Sequence, residues 1–316
     1  MIKNRRSFIV GLKSTKLSNN EIIFLKKYKP WGVILFSRNI KNIDQCKILT
    51  ESIKKIFNDK KYPILIDEEG GRVSRLGNII NTSMFSAEYF GNLYKQNYKK
   101  FNLYYKIYIK QISYLLNSIG VNINTVPLLD VRRDNSSKII GNRSFGKNSR
   151  IVSKIGNFSI EHFHKHGILT MIKHIPGHGL AKVDSHKLTP VVENKLKQLN
   201  KIDFFPFKNK KSLLAMTAHI LYKNLDRKYP ATLSRKIIKL IRNTIKFKGI
   251  LVTDDISMKG LKYKLPENIK KALEAGCNLI LHCNANYKEM LIVAKNSPKV
   301  NGFIIKKTSQ LYKFLS

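Results

Sequence analysis

Gly167-Ile168-Leu169-Thr170-Met171-Ile172-Lys173-His174-Ile175-Pro176-Gly177-His178-Gly179, continuing to Asp184-Ser185-His186, is the stretch from which the fold can be read. The apolar run 167–172 has the length and continuity of a strand buried on both faces. After it, three histidines, a lysine and an aspartate share a short segment with glycines and a proline. Pro176 and the glycines oppose a regular helix or strand there, so the expectation is a strand ending at 172 and then a loop. Titratable groups on a loop at the end of a buried strand are where enzymes place chemistry.

Outward from this stretch the same beat repeats. Short apolar runs at 7–11, 31–36, 62–66, 121–126, 168–172, 213–218, 249–253 and 278–282 read as strands. Between them lie helical patterns at 18–28, 43–57, a long region ending at 116, then 151–165, 234–246 and 267–275. A last helix is expected near 309–315. Eight strands alternating with helices predict an α/β protein of the (β/α)8 TIM-barrel type, which typically takes about 250 residues, so 1–316 is expected to be a single domain. Polar residues follow the strands: Arg38, Asp67, Asp130 with Arg143, Lys173 with His174, His219, Asp254 and Asn284. A closed barrel would gather all of them on one face. No GxGxxG or GxxxxGK[ST] follows any strand, so nucleotide binding has no support.

The totals set limits on function. At 43% hydrophobic, the chain is an ordinary globular protein. No stretch approaches the roughly 20 apolar residues of a membrane helix, and the basic N-terminus is not followed by a signal-like segment. Cys46, Cys277 and Cys283 have no metal-ligand spacing and read as reduced thiols, which favours the cytoplasm. The net charge of +39 would ordinarily suggest a polyanionic partner. Here the lysines are spread along the chain, and Asn, Ile, Tyr and Phe are abundant as well; all share AT-rich codons, so base composition can account for the bias without function, with an anionic substrate or loose polyanion contact as the alternative. No arginine-rich arm or RNP-like motif argues for specific nucleic-acid binding.

Several residues could carry chemistry. Asp254, ending the seventh strand in Thr253-Asp254-Asp255, suits a nucleophile, a base, a metal ligand or a cap. Asp67 sits beside two glycines that allow close approach of a ligand. Arg75 and Arg143 could hold hydroxyls or an anion, or be ordinary solvated residues. An Asp184 carboxylate accepting one imidazole N–H of His186 would fix the ring's tautomer and leave its other nitrogen for proton transfer, whereas an isolated Asp-x-His pair more commonly consists of two solvated loop residues. No carboxylate or cysteine completes a zinc-ligand spacing with the histidines, so neither metal nor cofactor is expected. His162-x-His164-x-His166 precedes the fifth strand and reads as a polar helix end on the opposite face.

Taken together, these segments resemble the single-domain β-N-acetylglucosaminidases of glycoside hydrolase family 3, the NagZ group. Lys173 to Gly179 with Asp184-Ser185-His186 carries the likeness. Asp67-Glu68-Glu69-Gly70-Gly71-Arg72 with Arg75, Gly141-Asn142-Arg143-Ser144-Phe145, Pro230 to Ser234 and Thr253-Asp254-Asp255 follow in the family's order. The resemblance implies a retaining exo-β-N-acetylglucosaminidase, acting on GlcNAc-1,6-anhydro-MurNAc-peptides in peptidoglycan recycling. It implies Asp254 as nucleophile, His186 as acid/base and Asp184 as the residue orienting it. Asp67, Arg75, Arg143, Lys173 and His174 would bind the sugar. Glu68 departs from the family's frequent glutamine, and the C-terminus is somewhat short. Larger relatives take their acid from a glutamate on a second domain, for which this chain has no room.

The expected partner is therefore a small-molecule muropeptide or GlcNAc disaccharide, with a monomeric enzyme and no nucleic-acid or membrane partner. Two alternatives remain: a broader β-glycosidase of the same family, and a basic binding protein for polyanions or cell-wall fragments.

Overall fold

The computed structural model describes residues 2–134, 137–185 and 188–315. In chain order the first half runs β1 (Arg6–Gly11), α1 (Asn19–Tyr28), β2 (Pro30–Leu35), α2 (Ile43–Phe57), β3 (Ile64–Ile66), α3 (Ala87–Gln96), α4 (Tyr98–Ser118), β4 (Ile123–Asn124), α5 (Ser149–Lys165) and β5 (Leu169–Ile175). The second half adds β6 (Val191–Val192), α6 (Leu196–Lys201), β7 (Leu214–Thr217), β8 (Leu221–Tyr222), α7 (Arg235–Asn243), β9 (Ile250–Asp255), α8 (Leu265–Ala275), β10 (Leu279–His282), α9 (Tyr287–Asn296) and α10 (Gly302–Phe314). Eight strands close a barrel in the order β1-β10-β9-β7-β5-β4-β3-β2, every pair parallel. This is the (β/α)8 barrel expected from the alternation of strands and helices.

Alternation along each strand divides the core in two. Ile9, Ile34, Leu65, Leu169, Met171, Met216, Val252 and Leu281 point inward and fill the barrel. Their neighbours Phe8, Val10, Val33, Leu35, Ile64, Ile66, Ile172 and Ile280 point outward against the helices. Because both faces are buried, the strands read as unbroken apolar runs. The end of the barrel away from the site is closed by α10. Val300, Ile304 and Leu311 join the interior cluster, and Trp31 Nε1–H donates to Thr308 Oγ1 at 2.8 Å in the buried contact.

The asparagine abundance has a structural use. Asn42, Asn97, Asn148, Asn286 and Asn301 each cap a helix by accepting a backbone N–H of its first turn. Ser18 and Glu21 form a reciprocal capping box on α1. Asn97 also ends α3, which divides the single helical region expected up to 116 into two.

Two expectations on extent need correction, and two further features have no counterpart in the sequence. The fifth strand does not end at 172 but runs to Ile175, because Pro176 and Gly177 act only after it. Lys173 and His174 therefore belong to a rigid strand. The connection from β5 to β7 contains α6 and a two-stranded parallel sheet, β6 with β8, too short to leave a sequence period. Helix α9 lies in a stretch left unassigned by the sequence reading. The last helix begins at Gly302 rather than near 309.

Candidate active site

At the C-terminal ends of the barrel strands lies a cavity of about 240 Å³. Asp67, Arg75, Arg143, Lys173, His174 and Asp254 all line it, with His178, Ser185, Asp255 and Cys283. Phe36, Ile139, Ile140, Met216 and Met258 supply apolar wall. Arg38 and Asn284, also expected at this face, serve loop structure instead. Arg38 donates to the backbone oxygens of Leu12 and Cys283, and Asn284 to Ser257 Oγ and Glu289.

One side of the cavity is a chain of opposite charges. Arg75 donates to Asp67 Oδ2 at 2.9 Å, and Thr125 Oγ1–H donates to Asp67 Oδ1 at 2.5 Å. The Lys173 ammonium bonds both Asp67 Oδ1 and Glu69 Oε1, and Arg143 grips Glu69 with two parallel bonds of 2.7 Å. Burial alone would raise the Asp67 carboxyl, but Lys173 and Arg75 hold it far below the carboxylate range. Burial likewise opposes ionisation of Glu69, and Arg143 and Lys173 outweigh it. Burial disfavours the Lys173 ammonium too, yet Asp67 and Glu69 raise its pKa. Opposite charges thus hold Asp67, Glu69, Lys173 and Arg143 in their ionised forms and fix their directions. In the sequence Glu69 is one residue of the Asp67–Arg72 segment, and its role as the link between two cations has no one-dimensional signal.

The other side is built on Asp130, fully buried after β4. Its Oδ2 accepts His174 Nδ1–H at 2.7 Å, and its Oδ1 accepts the backbone N–H of His178 at 2.6 Å. Burial would raise its pKa, but His174 keeps it low. The bond to Asp130 leaves the Nε2 side of His174 as the edge available to a ligand. His178 is itself buried, and burial followed by the proximity of His174 pushes its pKa down to about 4, so its ring is neutral. Its Nε2 pairs with Ser185 Oγ at 3.2 Å.

Asp254 lies near the end of β9, half-buried, with the backbone N–H of Asp255 donating to its Oδ1 at 2.8 Å. The Asp255 carboxylate is turned to a different task, accepting from Ser257 N and Oγ at 3.1 and 2.8 Å. Nearby, His219 is held through Nδ1 by Thr232 Oγ1 at 2.7 Å and through Nε2 by the backbone oxygen of Asp255 at 3.1 Å. Burial lowers its pKa, against the pull of Asp254.

The segment after β5 packs against the chain that follows β4 and the loop that follows β9. A Cβ on Gly179 would lie 1.9 Å from Val131 O, and one on Gly260 would lie 2.4 Å from Ser185 O. Only glycine permits those approaches. Thr189 Oγ1–H adds a bond of 2.6 Å to Gly260 O. Asp184 is half-buried immediately before Ser185. His186, the expected acid/base, lies outside the described residues. The histidines at 162, 164 and 166 fall at the end of α5, as expected, where His162 Nδ1–H donates to Phe158 O and His164 pairs with Thr170 Oγ1. Among the described residues no three histidine, cysteine or carboxylate side chains are grouped to hold a metal ion.

Comparison with known proteins places this geometry. Residues 7–305 match the glycosyl hydrolase family 3 N-terminal domain. A β-hexosaminidase of Actinobacillus pleuropneumoniae is 32% identical over 287 residues, covering 87% of this chain and 80% of that protein. β-Hexosaminidase A of Pseudoalteromonas piscicida is 33% identical over 257 residues, which is 75% of this chain but only 42% of that longer protein. Among solved structures, NagZ from Neisseria gonorrhoeae in complex with N-trifluoroacetyl-D-glucosamine superimposes with a TM-score of 0.86 at 26% identity, over 99% of this chain and 90% of that one. A family 3 β-N-acetylglucosaminidase from Paenibacillus sp. also gives 0.86 at 26% identity, over 98% of this chain and 60% of that one. The family match and the β-hexosaminidases that the chain resembles define its class as glycoside hydrolase. The chain belongs to glycosyl hydrolase family 3.

Proposed function

We propose that this glycoside hydrolase is a retaining exo-β-N-acetylhexosaminidase that releases terminal β-linked N-acetylglucosamine. Its β-N-acetylhexosaminidase activity is supported by family membership and by the β-hexosaminidases it resembles over most of their length. The natural substrates in this reading are GlcNAc-1,6-anhydro-MurNAc-peptides of peptidoglycan recycling, which places a monomeric enzyme in the cytoplasm. No helix among the described residues is long and apolar enough to cross a membrane.

The observation that carries the mechanism is that Asp254 faces the same small cavity as the Asp67–Arg75–Lys173 cluster. A sugar held by its hydroxyls against that cluster would present its anomeric carbon to Asp254. Asp67 accepts sugar hydroxyls, and Arg75, Arg143, Lys173 and His174 donate to sugar oxygens. The Asp254 carboxylate attacks the anomeric carbon as the C–O bond to the aglycone breaks, and His186 gives its proton to the departing oxygen. Asp184 orients that imidazole. Water then attacks the glycosyl-aspartate ester, losing a proton to His186 and freeing Asp254, so configuration is retained. A histidine with an ordinary pKa near about 6.5 suits both halves at neutral pH.

Hydrolysis of a chromogenic β-N-acetylglucosaminide by wild type, Asp254→Ala and His186→Ala tests this. Asp254→Ala should be nearly inactive on any substrate. His186→Ala should lose least with an activated phenolic leaving group, which needs little protonation. Wild-type activity in Asp254→Ala would remove the proposed nucleophile. Comparison with an aryl β-glucoside separates a hexosaminidase from a broader β-glycosidase.

A further inference from the structure

One buried histidine in the cavity has no part in the mechanism above. His178 is 3% exposed, its Nε2 contacts Ser185 Oγ at 3.2 Å, and its backbone N–H is held by Asp130 Oδ1 at 2.6 Å. Its Nδ1 is buried with no hydrogen-bond partner among the described residues, so the Ser185 contact is the ring's one recorded polar anchor. Ser185 lies between Asp184 and His186 in the chain. The same Asp130 carboxylate holds His174 through its other oxygen, at 2.7 Å.

We infer that His178 is a positioning residue for the acid/base loop: through Ser185 it ties the segment bearing Asp184 and His186 to the Asp130 carboxylate that also fixes His174. Two cavity elements, the strand that faces the sugar and the loop that moves the proton, are thereby set by one buried carboxylate. Chemistry favours a histidine here. Its ring spans from the β5 end to Ser185, keeps a polar edge facing the hydroxyl in either neutral tautomer, and adds no charge beside His174. The Ser185 backbone also packs closely on Gly260, where an added Cβ would lie 2.4 Å from Ser185 O. This role rests on the proposed function of His186.

The test compares His178→Ala, His178→Gln, Ser185→Ala and His186→Ala on two aryl β-N-acetylglucosaminides, one with a dinitrophenyl and one with an unactivated phenyl leaving group. Loss of positioning reads out as a fall in kcat/KM on the phenyl substrate by about tenfold or more, with little change in kcat/KM on the dinitrophenyl substrate, since kcat/KM reports the step that breaks the glycosidic bond and only the former needs a proton there. His178→Gln, whose amide can still reach Ser185, should recover most of the loss. Ser185→Ala removes a single oxygen and should show the same leaving-group signature even if His178→Ala fails to fold. If His186→Ala shows the signature and neither Ser185→Ala nor His178→Ala does, the positioning role is wrong and the acid/base assignment stands. Equal losses on both substrates would likewise overturn it, as those of a merely structural residue. If His186→Ala itself shows no leaving-group dependence, the fault lies in the proposed acid/base.

Discussion

Lys173 Nζ lies 2.5 Å from Glu69 Oε1 in the mouth of the barrel, and that carboxylate is at the same time clamped by Arg143. A strand lysine and a loop arginine are therefore held by one acidic group that the substrate need not touch. These cavity-lining donors are held in place by the protein itself.

Replacing that group tests the arrangement. Glu69→Gln leaves Arg143 and Lys173, both well buried, with Asp67 as the remaining anion of the cluster. Breaking a buried charge pair from one side typically costs about 3–5 kcal/mol. Urea denaturation should show a loss of about that size, accompanied by a raised KM. A loss below about 1 kcal/mol would mean that water relaxes the site more than the geometry suggests.

The closure of the barrel by α10 makes a second prediction. Thr308→Val keeps the shape but removes the acceptor of the buried Trp31 indole N–H. An orphaned buried donor costs about 1–3 kcal/mol. The expected result is a stability loss in that range with unchanged kcat and KM, because α10 sits at the end of the barrel away from the cavity. Altered kinetics would show that the two ends of the barrel are coupled.

Buried histidines and an acid give opposing contributions to pH dependence. Burial pushes His164 down to about 4, below the roughly 6.5 of an unfolded chain. Between those values the unfolded state binds the extra proton, so this contribution to stability is lost as pH falls from about 6.5 to 4. His178 acts in the same direction. Burial raises Asp203 to about 6, so the native state holds that proton and its contribution is lost as pH rises toward 6. Stability measured by urea titration should therefore rise from pH 4 to 6. His164→Gln should flatten the slope by up to about 1.4 kcal/mol per pH unit, and Asp203→Asn should steepen it. Identical slopes in all three proteins would contradict these assignments.

Gly179→Ala should separate folding from catalysis. Its Cβ would collide with Val131 O, so the segment leading to Ser185 must shift away from the strand-end backbone. Glycosidase activity should fall by about tenfold or more, since small misplacements of reacting groups are costly. Circular dichroism should remain that of the wild type. Full activity would show that this approach is not needed for the site.

The barrel was legible because parallel strands buried on both faces leave apolar runs such as Trp31 to Phe36 and Leu213 to Ala218. What was missed has physical causes. The rule that proline and glycine break strands placed the fifth strand's end at 172, whereas their effect begins at Pro176. Strands of two residues, β6 and β8, are shorter than any period. Within the site, charged residues at strand ends, Asp130 among them, pointed to the cavity, but which groups aim which is not legible in one dimension. Glu69 and Asp130 act through contacts 104 and 44 residues distant in sequence, to Lys173 and His174 (173 − 69 and 174 − 130). His178 was visible as one more histidine in a dense loop, and only its bond to Ser185 gives it a separate task.

The central claim is that Asp254 forms a covalent bond to the sugar. Mass spectrometry of the enzyme after incubation with a fluorine-deactivated β-N-acetylglucosaminyl donor, followed by peptide mapping, measures this directly. The account predicts a stoichiometric glycosyl adduct on the peptide bearing Asp254, absent from Asp254→Ala. An adduct on another residue, or turnover of the donor with no adduct and with inversion at the anomeric carbon, would contradict it.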